Sequence, residues 1–224
     1  MNCTSLTTTP AMTATTVAGS CCYCMFSGCS NLTSAISTTL SAETVADYCY
    51  YAMFKECTRL TTAPEELPAE TLAANCYRQM FYGCSKLTVA PALPAETLAA
   101  SCYREMFRGC SRLTTAPAMT VTTVAESCCK LMFHSCTSLT SAPELTATTL
   151  ATSCYESMFQ TCTKLNAVTC LATDISATDC TKNWLYNVAA EGTFTTLSTT
   201  SWGEGAYGIP SGWTRVYSDD IIVE

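Results

Sequence analysis

Residues 84–109 read CSKLTVAPALPAETLAASCYREMFRG, and the phrase near their end recurs along the chain. It is a Cys, an apolar pair four positions on and a second Cys four beyond: CCYCMFSGC (21–29), CYYAMFKEC (49–57), CYRQMFYGC (76–84), CYREMFRGC (102–110), CCKLMFHSC (128–136) and CYESMFQTC (154–162). The Met-Phe pairs begin at Met25, Met53, Met80, Met106, Met132 and Met158, a period of 28, 27, 26, 26 and 26 residues. A unit of that length cannot bury its apolar side alone but can when stacked on its copies.

Within the unit, LTVAPAL sets Leu87, Ala90 and Leu93 at three-residue intervals, the register of a short strand that bends into a turn. Pro91 recurs as Pro64, Pro117 and Pro143, with Pro10 in a truncated first unit. Proline cannot donate to a ladder, so each strand stops there. The remainder, PAETLAASCYREMFRG, is rich in helix formers and puts Leu98, Cys102 and Met106 on one helical face. Gly28, Gly83 and Gly109 stand where that helix would end, and Glu56, Ser135 and Thr161 hold the same place, so a left-handed residue is favoured there without being obligatory. The expected fold class is α/β: a solenoid of about seven 26–28-residue units, each a short strand plus a short helix.

Both ends fray. Cys3-Thr4-Ser5-Leu6 matches the end of a unit, and Cys180 is followed by Trp184-Leu185 and then Val188 where the second Cys would fall. The boundaries drawn are residues 1–188 for the solenoid and 189–224 for a small β C-terminal capping segment, with Trp202 and Trp213 expected to plug the end rather than to carry a sugar.

Only 13% of the 224 residues are charged, so hydroxyls and amides wet the surface. With 11 basic and 18 acidic residues the net charge is -7, which argues against nucleic acid and against an anionic membrane as partners. No basic stripe stands out along the chain. No apolar run is long enough to span a bilayer, and the start lacks a secretory signal, so the chain reads as a mature or excised fragment.

The candidate disulfide cysteines are Cys21, Cys29, Cys49, Cys57, Cys76, Cys84, Cys102, Cys110, Cys128, Cys136, Cys154, Cys162, Cys170 and Cys180. Partners eight apart in one continuous helix would be separated by about 12 Å, beyond the reach of a disulfide. Bonding within a unit therefore needs a broken helix; it can pair Cys170 with Cys180 but strands Cys3. Joining each second Cys to the first of the next unit (Cys3 with Cys21, Cys29 with Cys49, through to Cys162 with Cys180) accounts for both ends but strands Cys170. Reduced thiols serving as small core hydrophobes are the third reading. Cys22 and Cys129 take a position that is Tyr elsewhere, and with Cys24 are expected to be unpaired or variable. Zinc would need closer cysteine pairs or histidines, and only Cys22 and Cys24 come near that spacing.

Catalytic groups are scarce. His134 is the single histidine and falls where other units carry Arg108, Tyr82 or Gln160. Glu65, Glu66, Glu70, Glu96 and Glu144 recur at repeat spacing, as solvated turns do, and phosphate-cradle and nucleophile-elbow motifs are missing. No enzyme activity and no cofactor are expected. The sequon at Asn31-Leu32-Thr33 is a formal match.

What repeats on the outside is Thr: Thr61, Thr62, Thr88, Thr114, Thr115 and Thr140 form the candidate ligand face, with Thr7-Thr8 and Thr33-Ser34 in the same slots. Thr suits a half-exposed strand whatever its function. Hydroxyls also bind a glycan or protein without the desolvation cost of charges. Two adjacent Thr cannot both point outward from a regular strand, which counts against an ice-binding ladder.

The GCSKLT step and the apolar pair ending in Phe resemble the BspA-like leucine-rich repeats of bacterial cell-surface proteins, from Cys3 to about Val188. The units are a few residues longer than is usual there, and each adds a first Cys. The resemblance implies a leucine-rich-repeat-type solenoid with strands on its concave side. It further implies a non-enzymatic surface or secreted protein, used for adhesion or recognition of a protein or glycan on a host or microbial surface. The closing segment is similar to that of gut-bacterial proteins of this class, which implies covering an exposed end. A monomer without membrane insertion is expected, displayed at the cell surface or outside the cell. The alternative is a spacer, stalk or phage-particle component with no ligand of its own.

Overall fold

The structure, a computed structural model, describes residues 3–12, 14–15, 17–35 and 40–218. Successive units stack in parallel. Residues about one period apart meet at single bridges, and these line up in columns: Thr8 with Ser34 and Ser34 with Thr62; Leu93 with Met119; Thr44 with Thr71, Thr71 with Thr97 and Thr97 with Thr123. At the C-terminal end the first column widens into a parallel three-stranded sheet of β1 (Ala167–Thr169), β2 (Gly192–Thr196) and β3 (Trp213–Tyr217). Val168 pairs with Phe194, and Phe194 with Arg215.

The expected α/β solenoid of strand plus helix, the leucine-rich-repeat type, is not the fold. Among the described residues there is no helix, and only these three short strands form. The segment between paired cysteines, read as helical, has a left-handed residue at every fourth position: Asn75, Gln79 and Gly83 in one unit, Ser101, Glu105 and Gly109 in the next. A helix needs consecutive right-handed residues, so none can propagate. The main-chain amides alternate instead. Met80 and Tyr82 donate three residues back, to Tyr77 and Gln79, while Gln79 and Phe81 donate across to Arg104 and Met106 of the next coil. Every second amide thus serves the stack, and every other one closes a turn. Leu98, Cys102 and Met106 share a face because their spacing is four, and over nine residues a period of four is indistinguishable from 3.6.

The glycine position marked as a helix end is left-handed in all six units, at Gly28, Glu56, Gly83, Gly109, Ser135 and Thr161, but as one member of this series and not as a cap.

The core is a set of columns. Phe26, Phe54, Phe81, Phe107, Phe133 and Phe159 stack face to face, ring centroids 5.5–5.6 Å apart. Tyr50, Tyr77 and Tyr103 form a second file at 5.5 and 6.0 Å. Leu32, Leu60, Leu87, Leu113, Leu139 and Leu165 are all fully buried. Residues 189–218 of the expected capping segment supply β2 and β3 and so continue the parallel ladder; residues 219–224 lie outside the described residues. Trp184, Trp202 and Trp213 are buried, with Trp184 stacked on Trp202 and set edge-on to Phe194, so the tryptophans close the core.

Candidate functional site

In each unit the second Cys and the Leu three residues on are buried anchors of one tight turn. Leu60 donates to the Cys57 carbonyl, Leu87 to Cys84, Leu113 to Cys110 and Leu139 to Cys136, each at 3.0 Å. With both ends of the turn pulled inward, its two central residues and the pair that follows are turned to solvent. Thr61, Thr62, Thr88, Thr114, Thr115 and Thr140 are all exposed. The fold brings them together in two files on one face.

The stack ties the main chain of Thr61, Thr62, Thr115 and Thr140 to neighbouring coils. The Thr61 amide donates to the Thr33 carbonyl at 2.9 Å, and the Thr33 amide to Thr7, also at 2.9 Å. Two hydroxyls follow the same route: Thr33 Oγ1 donates to the Thr7 carbonyl at 3.1 Å and Thr61 Oγ1 to the Thr33 carbonyl at 2.9 Å. Thr62 pairs with Ser34, and Val89 with Thr115, by single bridges. Because the segment is not a regular strand, both members of the Thr61-Thr62 and Thr114-Thr115 pairs face outward, contrary to the alternation expected of one. A shallow cleft of about 350 Å³ crosses this face, lined by Thr61, Thr62, Pro64, Glu65, Thr88 and Val89.

A second hydroxyl file lies elsewhere on the coil and is not recognised from the sequence: Thr44, Thr71, Thr97 and Thr123, exposed and bridged in series, with Thr149, also exposed, bridged to Asp174. Its flanking residues Glu43, Glu70 and Glu96 are acidic, and a cleft of about 530 Å³ opens between Glu70, Thr71, Pro94, Glu96 and Thr97. The signal in the sequence is the recurrence of Thr one residue after Glu in three successive units, a pattern that solvated turns share.

The cysteines form two files. In one, each buried thiol donates to the Phe carbonyl of the coil before: Cys57 to Phe26, Cys84 to Phe54, Cys110 to Phe81, Cys136 to Phe107 and Cys162 to Phe133, at 3.0–3.2 Å. Burial pushes the Cys57 and Cys162 thiols up to about 12 and those of Cys84, Cys110 and Cys136 well above the ordinary thiol range. The other file runs through Cys49, Cys76, Cys102, Cys128, Cys154 and Cys180, all buried, and Cys76 is likewise pushed up to about 12 by burial. Cys170, buried beside it, shows the same shift. At the exposed end Cys21 lies 3.4 Å from Cys22 and 3.6 Å from Cys49, sulfur to sulfur, and a hydrogen bond from Cys49 helps hold the Cys22 thiol down to about 6. The contacts thus run along each file, bringing Cys21 to Cys49 and Cys29 beside Cys3. Every sulfur is free of a covalent partner.

His134 is half-buried, accepts from or donates to Ser135 Oγ at 2.8 Å through Nδ1, and is held below its ordinary pKa by burial and by Arg108. Among the described residues no group of three or more His, Cys, Asp or Glu is disposed to hold a metal ion.

No protein-family model matches the chain, and no curated protein matches it. Among solved structures, a leucine-rich repeat protein from Bacteroides ovatus is similar at 18% identity and a TM-score of 0.38. The similarity covers 87% of this chain and 56% of that one, so the chain spans little more than half that protein's length.

Proposed function

We propose that this chain is a non-enzymatic recognition module that binds a protein or glycan of a host or microbial surface through its Thr61, Thr62, Thr88, Thr114, Thr115 and Thr140 face. The observation that carries the reading is the exposure of all six side chains on one face, with the main chain of Thr61, Thr62, Thr115 and Thr140 tied to neighbouring coils. A ligand laid across them meets hydroxyls whose backbone loses little freedom on binding, which lowers the entropic cost of a polar interface. Work at a cell surface or after secretion is part of the proposal. Buried thiols fit it, because a sulfur out of reach of solvent is inert to oxidants.

The second reading is a spacer or stalk without a ligand, and the near-identical ring spacing along the Phe column favours it, since uniform units set length. Glycan-array and pull-down binding of the wild type and of a Thr62→Glu, Thr88→Glu, Thr115→Glu variant separates the two. Recognition expects a ligand whose binding falls about tenfold or more in the variant. No ligand, or one indifferent to the substitutions, leaves the spacer.

A further inference from the structure

Eleven basic residues are scattered through the sequence, and the fold sorts them. Seven are engaged. Arg78, Arg104 and Arg108 surround the Glu105 carboxylate, Lys130 pairs with Glu156 and Lys182 with Asp179. Lys55 donates to Gln79 and lies over the Tyr82 ring, and Arg215 donates to the Trp202 carbonyl. The remaining four are Arg59, Lys86, Arg112 and Lys164. Each is the residue just before the corner Leu, each is exposed, and among the described residues none is paired with a carboxylate. Arg59 donates only to the neutral amide of Asn31, its counterpart one coil back.

The corner turns stack in register. Ser85 Oγ donates to the Thr58 carbonyl, Ser111 Oγ to Ser85 and Thr137 Oγ1 to Ser111, at 3.4–3.5 Å. The next residue on each coil therefore follows in file: Asn31, Arg59, Lys86, Arg112, Ser138, Lys164. With coils about 4.8 Å apart, three unpaired cations fall within about 10 Å, and Lys164 extends the row to about 20 Å. Two residues further along each coil lies the hydroxyl face, so the row borders Thr61, Thr88 and Thr114 along their whole length. The stripe absent from the linear sequence is thus assembled by stacking, on a chain whose net charge is -7.

We propose that Arg59, Lys86, Arg112 and Lys164 make this edge a binding strip for an acidic polysaccharide, its carboxylate or sulfate groups on the basic row and its hydroxyls on the Thr files. The inference rests on the recognition reading and names the ligand class. A polymer of acidic sugars repeats its charge along an extended chain and carries hydroxyls beside it, the pattern this face complements. Glu65, on the far wall of the cleft, repels the anionic groups and sets which edge they occupy. Nucleic acid fits less well: among the described residues, of the exposed large apolar side chains only Val89 lies on this face, and no exposed aromatic ring stands there to stack a base.

The test uses the whole chain with four immobilised probes: heparin as the sulfated polysaccharide, polygalacturonate as the carboxylated one, dextran as the neutral one and a single-stranded oligonucleotide. The proposal expects one or both acidic polysaccharides to bind and dextran and the oligonucleotide to bind at least about tenfold more weakly. Binding should weaken as salt rises. Changing Arg59→Gln, Lys86→Gln and Arg112→Gln together should lower it about tenfold or more, at roughly two- to threefold per exposed charge. Lys130→Gln, which removes a paired cation, should leave it unchanged. If the chain binds dextran or a protein through the Thr face and ignores the Gln substitutions, the recognition reading stands and this inference falls. Equal binding of the oligonucleotide also overturns it, and binding to none of the probes overturns it without touching a protein ligand.

Discussion

Cys84 donates its thiol hydrogen to the main-chain carbonyl of Phe54, 3.1 Å away on the preceding coil, and that carbonyl also accepts the amide of Cys57. The same fork repeats up the stack, so the carbonyls of Phe26, Phe54, Phe81, Phe107 and Phe133 each tie a turn to the coil above. A sulfur that donates a hydrogen is a thiol. Cys57, Cys84, Cys110, Cys136 and Cys162 should therefore resist a maleimide in the native protein, and all five should label once it is unfolded without reductant. Peptide mass mapping reads the outcome, and any of the five recovered in a disulfide would remove this bond.

The thiols also set a pH limit. Burial holds Cys57, Cys76, Cys162 and Cys170 up to about 12, whereas an unfolded thiol ionises near 8.5. A raised folded pKa leaves stability whole below the unfolded value and removes it as the pH climbs toward the folded one. The loss is roughly 2 kcal/mol per buried thiol by pH 10. The thermal midpoint should drop steeply above about pH 9. A midpoint level through pH 10 would mean that these groups do not ionise on unfolding.

Two left-handed glycines differ in what surrounds them. A Cβ on Gly109 (φ +78°) would meet only the main chain of Gly83 at 3.7–3.8 Å, so Gly109→Ala should cost the backbone strain alone, about 1 kcal/mol. On Gly83 (φ +73°) it would stand 2.8 Å from the carboxylate of the exposed Glu56 side chain, which can swing aside, so Gly83→Ala should cost about the same. Adding Glu56→Ala should leave the cost of Gly83→Ala unchanged to within about 0.5 kcal/mol, which denaturant titration of the double-mutant cycle measures. Thr161→Gly, at φ 64°, should stabilise by about 1 kcal/mol.

Phe107 is fully buried between Phe81 and Phe133, with ring centroids 5.6 and 5.5 Å away. Phe107→Ala should cost about 3–5 kcal/mol by urea denaturation, since the rings above and below cannot close the gap without breaking coil register. Phe26, with a neighbour on one side only, should cost less when changed to Ala.

The repeat, its period and the residues facing inward were legible, because Met-Phe, Cys and Leu recur at fixed spacing and burial acts on spacing. The conformation between them was not. Leu98, Cys102 and Met106 satisfy a helix and a four-residue turn series equally, and the deciding trait lies at the intervening positions. Asn75, Gly83, Ser101, Gly109, Ser127, Ser153, Asp179 and Asn187, all left-handed, are residue types that tolerate that region or bond locally. Gln79, Glu105 and Leu131 are not, and their conformation is imposed by the coils on either side. The exposed Thr face followed from the repeat alone. The basic row did not, since Arg59, Lys86 and Arg112 are neighbours only after each coil has closed.

Far-UV circular dichroism of the native chain bears most directly on the stacked-turn arrangement. With no helix among the described residues, the spectrum should lack the double minimum of a helical protein. A spectrum with the strong helical double minimum, as one short helix in each of seven units would give, would contradict it.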